Sequence, residues 1–507
     1  MLSNLRRRRA PLLVFAIVVL AGCAGVSTVS RDTPTDRALA KIEHVVVIYG
    51  ENRSFDNLYG LFPGADGIAA ATSEQVLQRD RDGALLPMLP PTWKADGVTP
   101  DPMYGGNVAN APFRIDQPPV DLPLVTPTRD LTHRFYQNRD QINGGKLDQY
   151  VAWTDAGGLV MGYYDGSSLP LWSLAKQYTL ADNFFMGAFG GSFLNHLWLI
   201  CACTPTFPNA PASLVSTLDA NGKLALKPGS PASAMNGAPQ FVGDRALTPD
   251  FYAVNTIQPA YQPSGIAPAA GGDPALADPA KNPLPPQTAK TIGDTLSAKR
   301  VDWAWYAGSW NAGLADGMQP PSAKREIIYN QAAGSPNFVP HHQPFNYFSR
   351  YAPGSSERAR HLRDYTDLVA DIDAGKLPAV AFYKPQGIYN EHPGYTDVRR
   401  GDEHIAGVVA KLQASPLWRS TLIIITYDEN GGFWDHVAPP AGDRWGPATR
   451  VPTILIGPMV KKGFVDRTAY DTTSILKFLT RRFDLEPLPG VRAGMGDLTP
   501  AIEIAPN

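Results

Sequence analysis

An α/β fold built on a mostly parallel sheet, flanked by helices, is predicted by three features of the chain. Near its two ends, short runs rich in Val and Ile stop at turn-forming residues: IEHVVVIYGENRSFD and TLIIITYDENGGFWDH. Runs of this length, bounded by Gly and Asn, read as buried strands of a parallel sheet. Each run also ends directly in oxygen-bearing side chains, Glu51 and Asn52 in the first and Asp428 and Glu429 in the second. Ligands of open α/β sheets collect beyond the carboxyl ends of strands. A single run of this kind could be followed by a solvated loop. Two of them, with matching polar pairs, point to one metal-dependent site assembled from both ends of the chain.

Taken in order, the chain opens with a targeting pattern. Residues 6–9 are four arginines, and residues 11–20 are apolar but too short to span a bilayer as a helix. Residues 1–22 thus read as a signal peptide. The closing Leu20-Ala21-Gly22-Cys23 resembles the lipobox of bacterial lipoproteins, which implies lipidation of Cys23; an ordinary signal peptide with an incidental Cys is the alternative. Ala24 after Cys23 resembles Gram-negative lipoproteins sent to the outer membrane. The expected protein is a soluble domain in the cell envelope, joined to a membrane lipid anchor by a polar tether over residues 23–40.

Residues 41–204 and 291–507 carry the motifs and are expected to form the main domain. Between them, residues 205–290 are dense in Pro and Gly, of which the chain has 48 and 46, and read as a loop-rich insertion or cap. A formal charge of −2 and the lack of a basic stripe make nucleic acid an unsuitable partner. Oligomeric state is not legible. Cys201 and Cys203 are the remaining cysteines; they could pair or stay reduced, and no second pair exists to complete a zinc site built on sulfur. Any metal is therefore to be held by oxygen and nitrogen.

Ser192 follows Gly190-Gly191 at the start of a helix-forming run, where amide groups favour an anion beside a hydroxyl. By itself that pattern reads as a helix cap. Beside a cation held by Glu51, Asn52, Asp428 and Glu429 it reads as a nucleophile, because a serine hydroxyl needs activation. No GxSxG elbow and no Cys-x-Pro-x-Arg segment is present. His133, His341, His342, His392 and His436 lie near Pro, Gly or Asn, hence in loops, where an imidazole can bind a phosphoryl oxygen or protonate a leaving group. A structural role competes for His404 and His436. His44 and His196, beside apolar runs, read as structural, and His361 as part of a solvated helix face.

The stretch IEHVVVIYGENRSFDNLYGLFPGADG, with NGGKLD, NEHPGYTD and ITYDENGGFWDHVAPP, resembles the bacterial phosphoesterase family of phosphatidylcholine-type phospholipases C and AcpA-type acid phosphatases. That resemblance implies an alkaline-phosphatase-like α/β fold. It also implies metal ligation by Glu51, Asn52, Ser192, Asp428 and Glu429, with Ser192 the nucleophile and Asn52 touching phosphate as well. His133, His341, His342 and His392 would line the phosphate pocket, with His342 or His392 protonating the leaving alcohol. The sequence Ser192-Phe193-Leu194-Asn195-His196 departs from the Thr-x-Pro-Asn-Arg of the phospholipase branch and leans toward the phosphatases. The expected activity is acid phosphatase chemistry on phosphate monoesters through a phosphoseryl intermediate. The alternatives are a phospholipase C cleaving phosphodiester lipids and a catalytically silent lipoprotein that binds phosphorylated ligands. The expected cofactor is a divalent metal; oxygen-rich ligation suits Ca, Mg or Mn, and the histidines leave Zn or Fe open.

Overall fold

A computed structural model describes residues 33–504 of the chain. The expected signal peptide, Cys23 and the first part of the tether lie outside the described residues. The end of the expected tether is not extended chain but a helix, α1 (Pro34–Ala40). Its cause is local: the Thr33 hydroxyl accepts from the Asp36 N–H at 3.1 Å, and Pro34 occupies the first turn, where no N–H is required. Ala38 and Leu39 are buried, and α1 packs on a C-terminal helix, residues Thr472–Phe483.

Eight strands form the central sheet: β1 (His44–Gly50), β2 (Thr179–Ala181), β3 (Trp303–Ala307), β4 (Leu362–Asp364), β5 (Val380–Lys384), β6 (Thr421–Tyr427), β7 (Thr453–Ile456) and β8 (Phe464–Asp466). Their spatial order is β8-β2-β7-β6-β1-β5-β3-β4. All pairings are parallel except those of β7, which runs antiparallel to both neighbours. Helices cover the sheet, so the central strands are buried on both faces and read as continuous apolar runs rather than alternating ones. The fold class expected from the sequence is the one observed.

The first and sixth strands are neighbours. Their register runs from His44 opposite Thr421 to Gly50 opposite Tyr427. Both strands therefore end at the same level, and the Asp428 N–H donates to the Gly50 carbonyl at 3.2 Å. Glu51 and Asp428, far apart in the chain, start their loops side by side.

Three helices frame this edge: α2 (Ser192–Cys201), α3 (Val398–Ala414) and α4 (Thr472–Phe483). Every residue of α2 is buried, as expected of a helix apolar on all sides. In α3 the buried residues Val398, Gly401, Ile405, Val408 and Leu412 recur every three or four positions, and the Asp397 carboxylate caps it by accepting from the Arg400 N–H at 2.9 Å. Cys201 and Cys203 are joined by a disulfide at the end of α2, resolving the choice the sequence left open. Residues 205–290 hold no α-helix or β-strand, only short 3-10 turns and isolated bridges. His44 is structural as expected, its Nδ1 lying 3.2 Å from the Pro378 carbonyl. His361 is not on a solvated face: it is buried, stacked 4.1 Å from the Trp303 ring with Nδ1 2.7 Å from the Trp303 carbonyl. The charged run around it hides one residue that turns inward.

Candidate active site

The strand ends bring Glu51, Asn52, Asp428 and Glu429 together with no solvent exposure at all. Four polar residues at zero exposure demand partners. Glu51 has the most, with His342 Nε2 at 2.5 Å, Lys384 Nζ at 3.0 Å and the Tyr395 hydroxyl at 3.2 Å; the Asn390 amide donates to it as well. Asp428 has Lys384 Nζ at 3.8 Å and His196 Nδ1 at 3.6 Å.

Ser192 is delivered to this group from the opposite side by α2. Gly191 is the N-cap and makes no side-chain cap bond, and Ser192, the first helical residue, caps nothing. Its Oγ instead lies 3.3 Å from Asn52 Oδ1 and 3.3 Å from Glu429 Oε1. The turn that permits this is held by Asn195, whose Oδ1 accepts from the Ala188 N–H at 2.9 Å and whose Nδ2 donates to the Gly191 carbonyl at 3.2 Å. Gly190 has φ +95°, and a Cβ there would fall 2.6 Å from the Phe135 nitrogen. Only glycine suits both conditions.

Glu51, Ser192, His133, His341, His342 and His392 line one cavity of about 190 Å³. The adjacent pair that the sequence could not orient, His341 and His342, both face it. His133 Nδ1 lies 2.6 Å from the Leu131 carbonyl, which leaves Nε2 on the cavity side, 3.6 Å from Glu429 Oε1. The His392 ring stacks 4.4 Å from Tyr395 and directs Nδ1 at the Pro393 carbonyl, freeing its Nε2 in the same manner. Asn52 and Glu429 reach this cavity through Ser192, and Asp428 lies behind it beside Lys384 and His196.

Electrostatically the cluster is overloaded with negative charge. Burial pushes Asp428 well above the usual carboxylate range; Lys384 opposes the rise, and Glu51 and Glu429 add to it. Burial likewise lifts Glu429 to about 7 against the pull of His133. In the Glu51–His342 contact the carboxylate keeps the charge. Burial draws the His342 imidazole down to about 4, while for Glu51 burial is outweighed by His342 and Lys384, which hold it well below its usual range. For His133 burial is outweighed by Glu429 and Asp130, and the ring rises to about 9.

A cation fits this arrangement. One hydroxyl hydrogen on Ser192 cannot serve two facing acceptors, so the oxygen lone pairs of Ser192, Asn52 and Glu429 converge on a common space. Buried carboxylates that repel one another are relieved by the same charge. Glu51, His196 and His342 offer ligand atoms within 4.8 Å of one another. Their oxygen and nitrogen donors can hold a divalent metal.

Two participants were not read from the sequence. His196, assigned a structural role, lies one helical turn after Ser192 on the same face, with Nδ1 2.7 Å from the Ser192 carbonyl and 3.6 Å from Asp428 Oδ2. Its spacing from Ser192 was the available signal. Lys384, fully buried, closes β5 next to β1, so the strand-end rule that found Glu51 applies to it equally. His404 and His436 stand apart from the cavity. His404 stacks 4.5 Å from Tyr389, and His436 joins Asp56, Asp435 and Arg450 in a buried ion network, with Nδ1 2.6 Å from Asp56 and Arg450 Nε 2.8 Å from Asp435. Arg450 supplies the cation there.

The Phosphoesterase family matches the chain over residues 42–486. Across 93% of its length the chain is 25% identical to phospholipase C A of Mycobacterium tuberculosis, covering 79% of that protein. It is also 25% identical, over 92% of its length, to the non-hemolytic phospholipase C of Pseudomonas aeruginosa, of which it covers 58%. A shorter likeness, 33% identity over 23% of the chain and 28% of the relative, is to non-specific phospholipase C6 of Arabidopsis thaliana. Among solved structures, a protein of the alkaline phosphatase superfamily from Vibrio parahaemolyticus is similar at 9% identity, with 76% of this chain and 75% of that one covered and a TM-score of 0.33.

Proposed function

The chain belongs to the Phosphoesterase family, and from that premise we propose that it is a metal-dependent hydrolase of small phosphate monoesters in which Ser192 is the nucleophile. The observation that carries this reading is the Ser192 hydroxyl, uncapped at the mouth of α2 and facing Asn52 and Glu429 at 3.3 Å each. The cavity of about 190 Å³ takes phosphate and a short alcohol, and it adjoins a second space of about 490 Å³ along Asp130, His133 and Arg134.

Glu51, Asn52, Asp428 and Glu429 would hold the metal, which supplies a Lewis acid against phosphoryl charge and makes the Ser192 hydroxyl easier to deprotonate. Ser192 Oγ forms the new P–O bond as the bond to the leaving alcohol breaks. His392, which burial holds neutral and whose Nδ1–H is committed to the Pro393 carbonyl, would take the Ser192 proton at Nε2 and pass it to the departing alcohol, while His342 is held by Glu51. His133, cationic beside Glu429, and His341, whose buried Nδ1 has no partner, face the phosphoryl oxygens. Water then releases phosphate and restores Ser192.

A second reading, a phospholipase C, is favoured by the names of the relatives above. Release of nitrophenol from p-nitrophenyl phosphate and from its phosphorylcholine diester, by metal-replete wild type and Ser192→Ala, separates the two. Faster cleavage of the monoester, reduced about 10³-fold or more in Ser192→Ala, is expected. Preference for the diester would move the chain to the phospholipase reading. Tight phosphate-ester binding without turnover would make it a silent binding protein, and substantial activity in Ser192→Ala would end the covalent step.

The N-terminal pattern supports, as part of this reading, a Gram-negative envelope protein on a lipid attached at Cys23. The Cys201–Cys203 bond suits an oxidising compartment. Wild type is expected in the membrane fraction after cell lysis, and a Cys23→Ala protein recovered equally in that fraction would remove the anchor.

A further inference from the structure

Asn390, Glu391 and His392 are consecutive, yet their side chains divide. The Asn390 amide donates to Glu51, its Oδ1 accepts from the His392 N–H at 3.0 Å, and the His392 ring lines the catalytic cavity. Glu391, between them, is fully buried and forms no part of the cavity wall. It takes up this place with φ +75°, a left-handed conformation that costs free energy in a residue with a Cβ and is commonest in Gly and Asn. Backbone of this kind persists only where its surroundings over-determine it.

Those surroundings come from three elements. Arg53, in the loop after β1 and next to Asn52, donates to the Glu391 carbonyl from Nε at 3.2 Å and from Nη2 at 2.8 Å. The Tyr427 hydroxyl, at the end of β6, donates to Glu391 Oε2 at 2.8 Å. Gly401 of α3 lies against the side chain: a Cβ there would fall 2.4 Å from Glu391 Cγ and 2.8 Å from its nitrogen. Glu391 thus ties its loop both to the strand end that carries Glu51 and Asn52 and to the one that carries Asp428.

An ionised carboxylate is a poor fit to this place. Glu391 Oε1 has no partner, and the Arg53 guanidinium is occupied by the Glu391 carbonyl and, through Nη1, by Asn57 Oδ1 at 3.4 Å. Asp402, also buried, brings a second carboxyl on the α3 side, its Oδ1 accepting from the Leu171 N–H at 3.0 Å. A buried carboxyl without a paired cation keeps its proton. Burial pushes Glu391 well above the usual carboxylate range; Asp402 and Asp397 add to the rise, and the Tyr427 hydroxyl and Arg53 oppose it.

We propose that Glu391 is a positioning residue: its buried side chain anchors the loop that sets Asn390 on Glu51 and aims His392 Nε2 at the departing alcohol. This rests on the hydrolase reading above, in which His392 delivers the proton, and adds the group that places it. The anchor acts as a neutral acid. An amide of the same shape therefore replaces it, whereas glycine, which keeps the left-handed backbone, does not.

The test uses leaving groups that differ in their need for a proton: p-nitrophenolate departs without one, and ethanol does not. In metal-replete protein, the ratio of kcat/KM for p-nitrophenyl phosphate to that for ethyl phosphate is expected to rise about tenfold or more in His392→Asn and in Glu391→Gly. In Glu391→Gln it should stay at the wild-type value. A smaller share of folded or metal-bound enzyme scales both rates together and leaves the ratio unmoved. A ratio raised in His392→Asn but unmoved in Glu391→Gly overturns the positioning role alone. One raised as far in Glu391→Gln as in Glu391→Gly overturns the neutral anchor. If Glu391→Gly does not fold, Tyr427→Phe, which removes only the hydroxyl facing Oε2, replaces it, with a rise of about threefold expected and an unmoved ratio overturning the role. A ratio unmoved in His392→Asn, or wild type silent on both esters, overturns the hydrolase reading and this inference with it.

Discussion

Lys384 illustrates how one residue can bind a site together without touching its substrate. Its ammonium, fully buried, stands 3.0 Å from Glu51 and 3.8 Å from Asp428. Removing one member of a buried ion pair leaves the other charge uncompensated, at about 3–5 kcal/mol. Lys384→Met should lose stability of that order in urea melts, and saturating divalent metal should recover more of it than the metal adds to wild type. Melts unchanged from wild type would show that the carboxylates do not depend on this cation. Legibility in the sequence divides along the same line. Glu51, Asn52, Asp428 and Glu429 were readable because each pair interrupts an apolar run at once, and the hydroxyl of Ser192 because two glycines precede it. Lys384 and His196 were not read, since a Lys before Pro looks like a strand end in water and a His inside an apolar helix looks like core. Their role depends on which strands are neighbours, and that is not local information.

At the scale of elements, the turn into α2 is the most constrained piece of the site. Gly190 combines φ +95° with backbone of Phe135 where a Cβ would lie, so the strand-to-helix turn and the helix Phe135–Ile142 can meet only through glycine. Gly190→Ala must shift backbone rather than a side chain. The expected result is a loss of about 2 kcal/mol or more in stability together with a fall in kcat, because Ser192 moves with the turn. Wild-type kcat in a destabilised Gly190→Ala would show that the Ser192 position does not depend on the turn. Strands β1 and β6 were legible as strands and even as neighbours of one site, whereas the antiparallel strand β7 was not, because direction is set by the connection and leaves no mark on composition. The Pro and Gly content of residues 205–290 predicts irregular backbone, and that stretch holds no α-helix or β-strand. That it lends Val254, Asn255 and Thr256 to the cavity wall depends on where it packs.

For the molecule as a whole, stability should depend on pH through His436. Burial would lower this imidazole, but Asp56 and then Asp435 outweigh it, with Arg450 opposing, and hold it up at about 9 from an ordinary 6.5; the Asp66 carboxylate stands 3.3 Å away on the exposed side. The native state then binds the proton more tightly than the unfolded chain. The contribution, about 3 kcal/mol, is fully present below pH 6.5 and is lost as pH rises through 9. Melts between these values should show a falling Tm in wild type and a flatter profile in His436→Gln; equal slopes would exclude this network as the cause. The sheet order carries a different consequence, one of timing. Strand β1 is made first but is hydrogen-bonded between β5 and β6, the latter beginning only at Thr421. Until β5 and then β6 have been synthesised, the two edges of this apolar strand stay without their native partners, and such edges invite pairing with other chains. A nascent or truncated chain ending before Thr421 would therefore be inactive and sticky at once. Binding partners that shield β1 until about the last sixth of the sequence emerges would raise the yield of active protein.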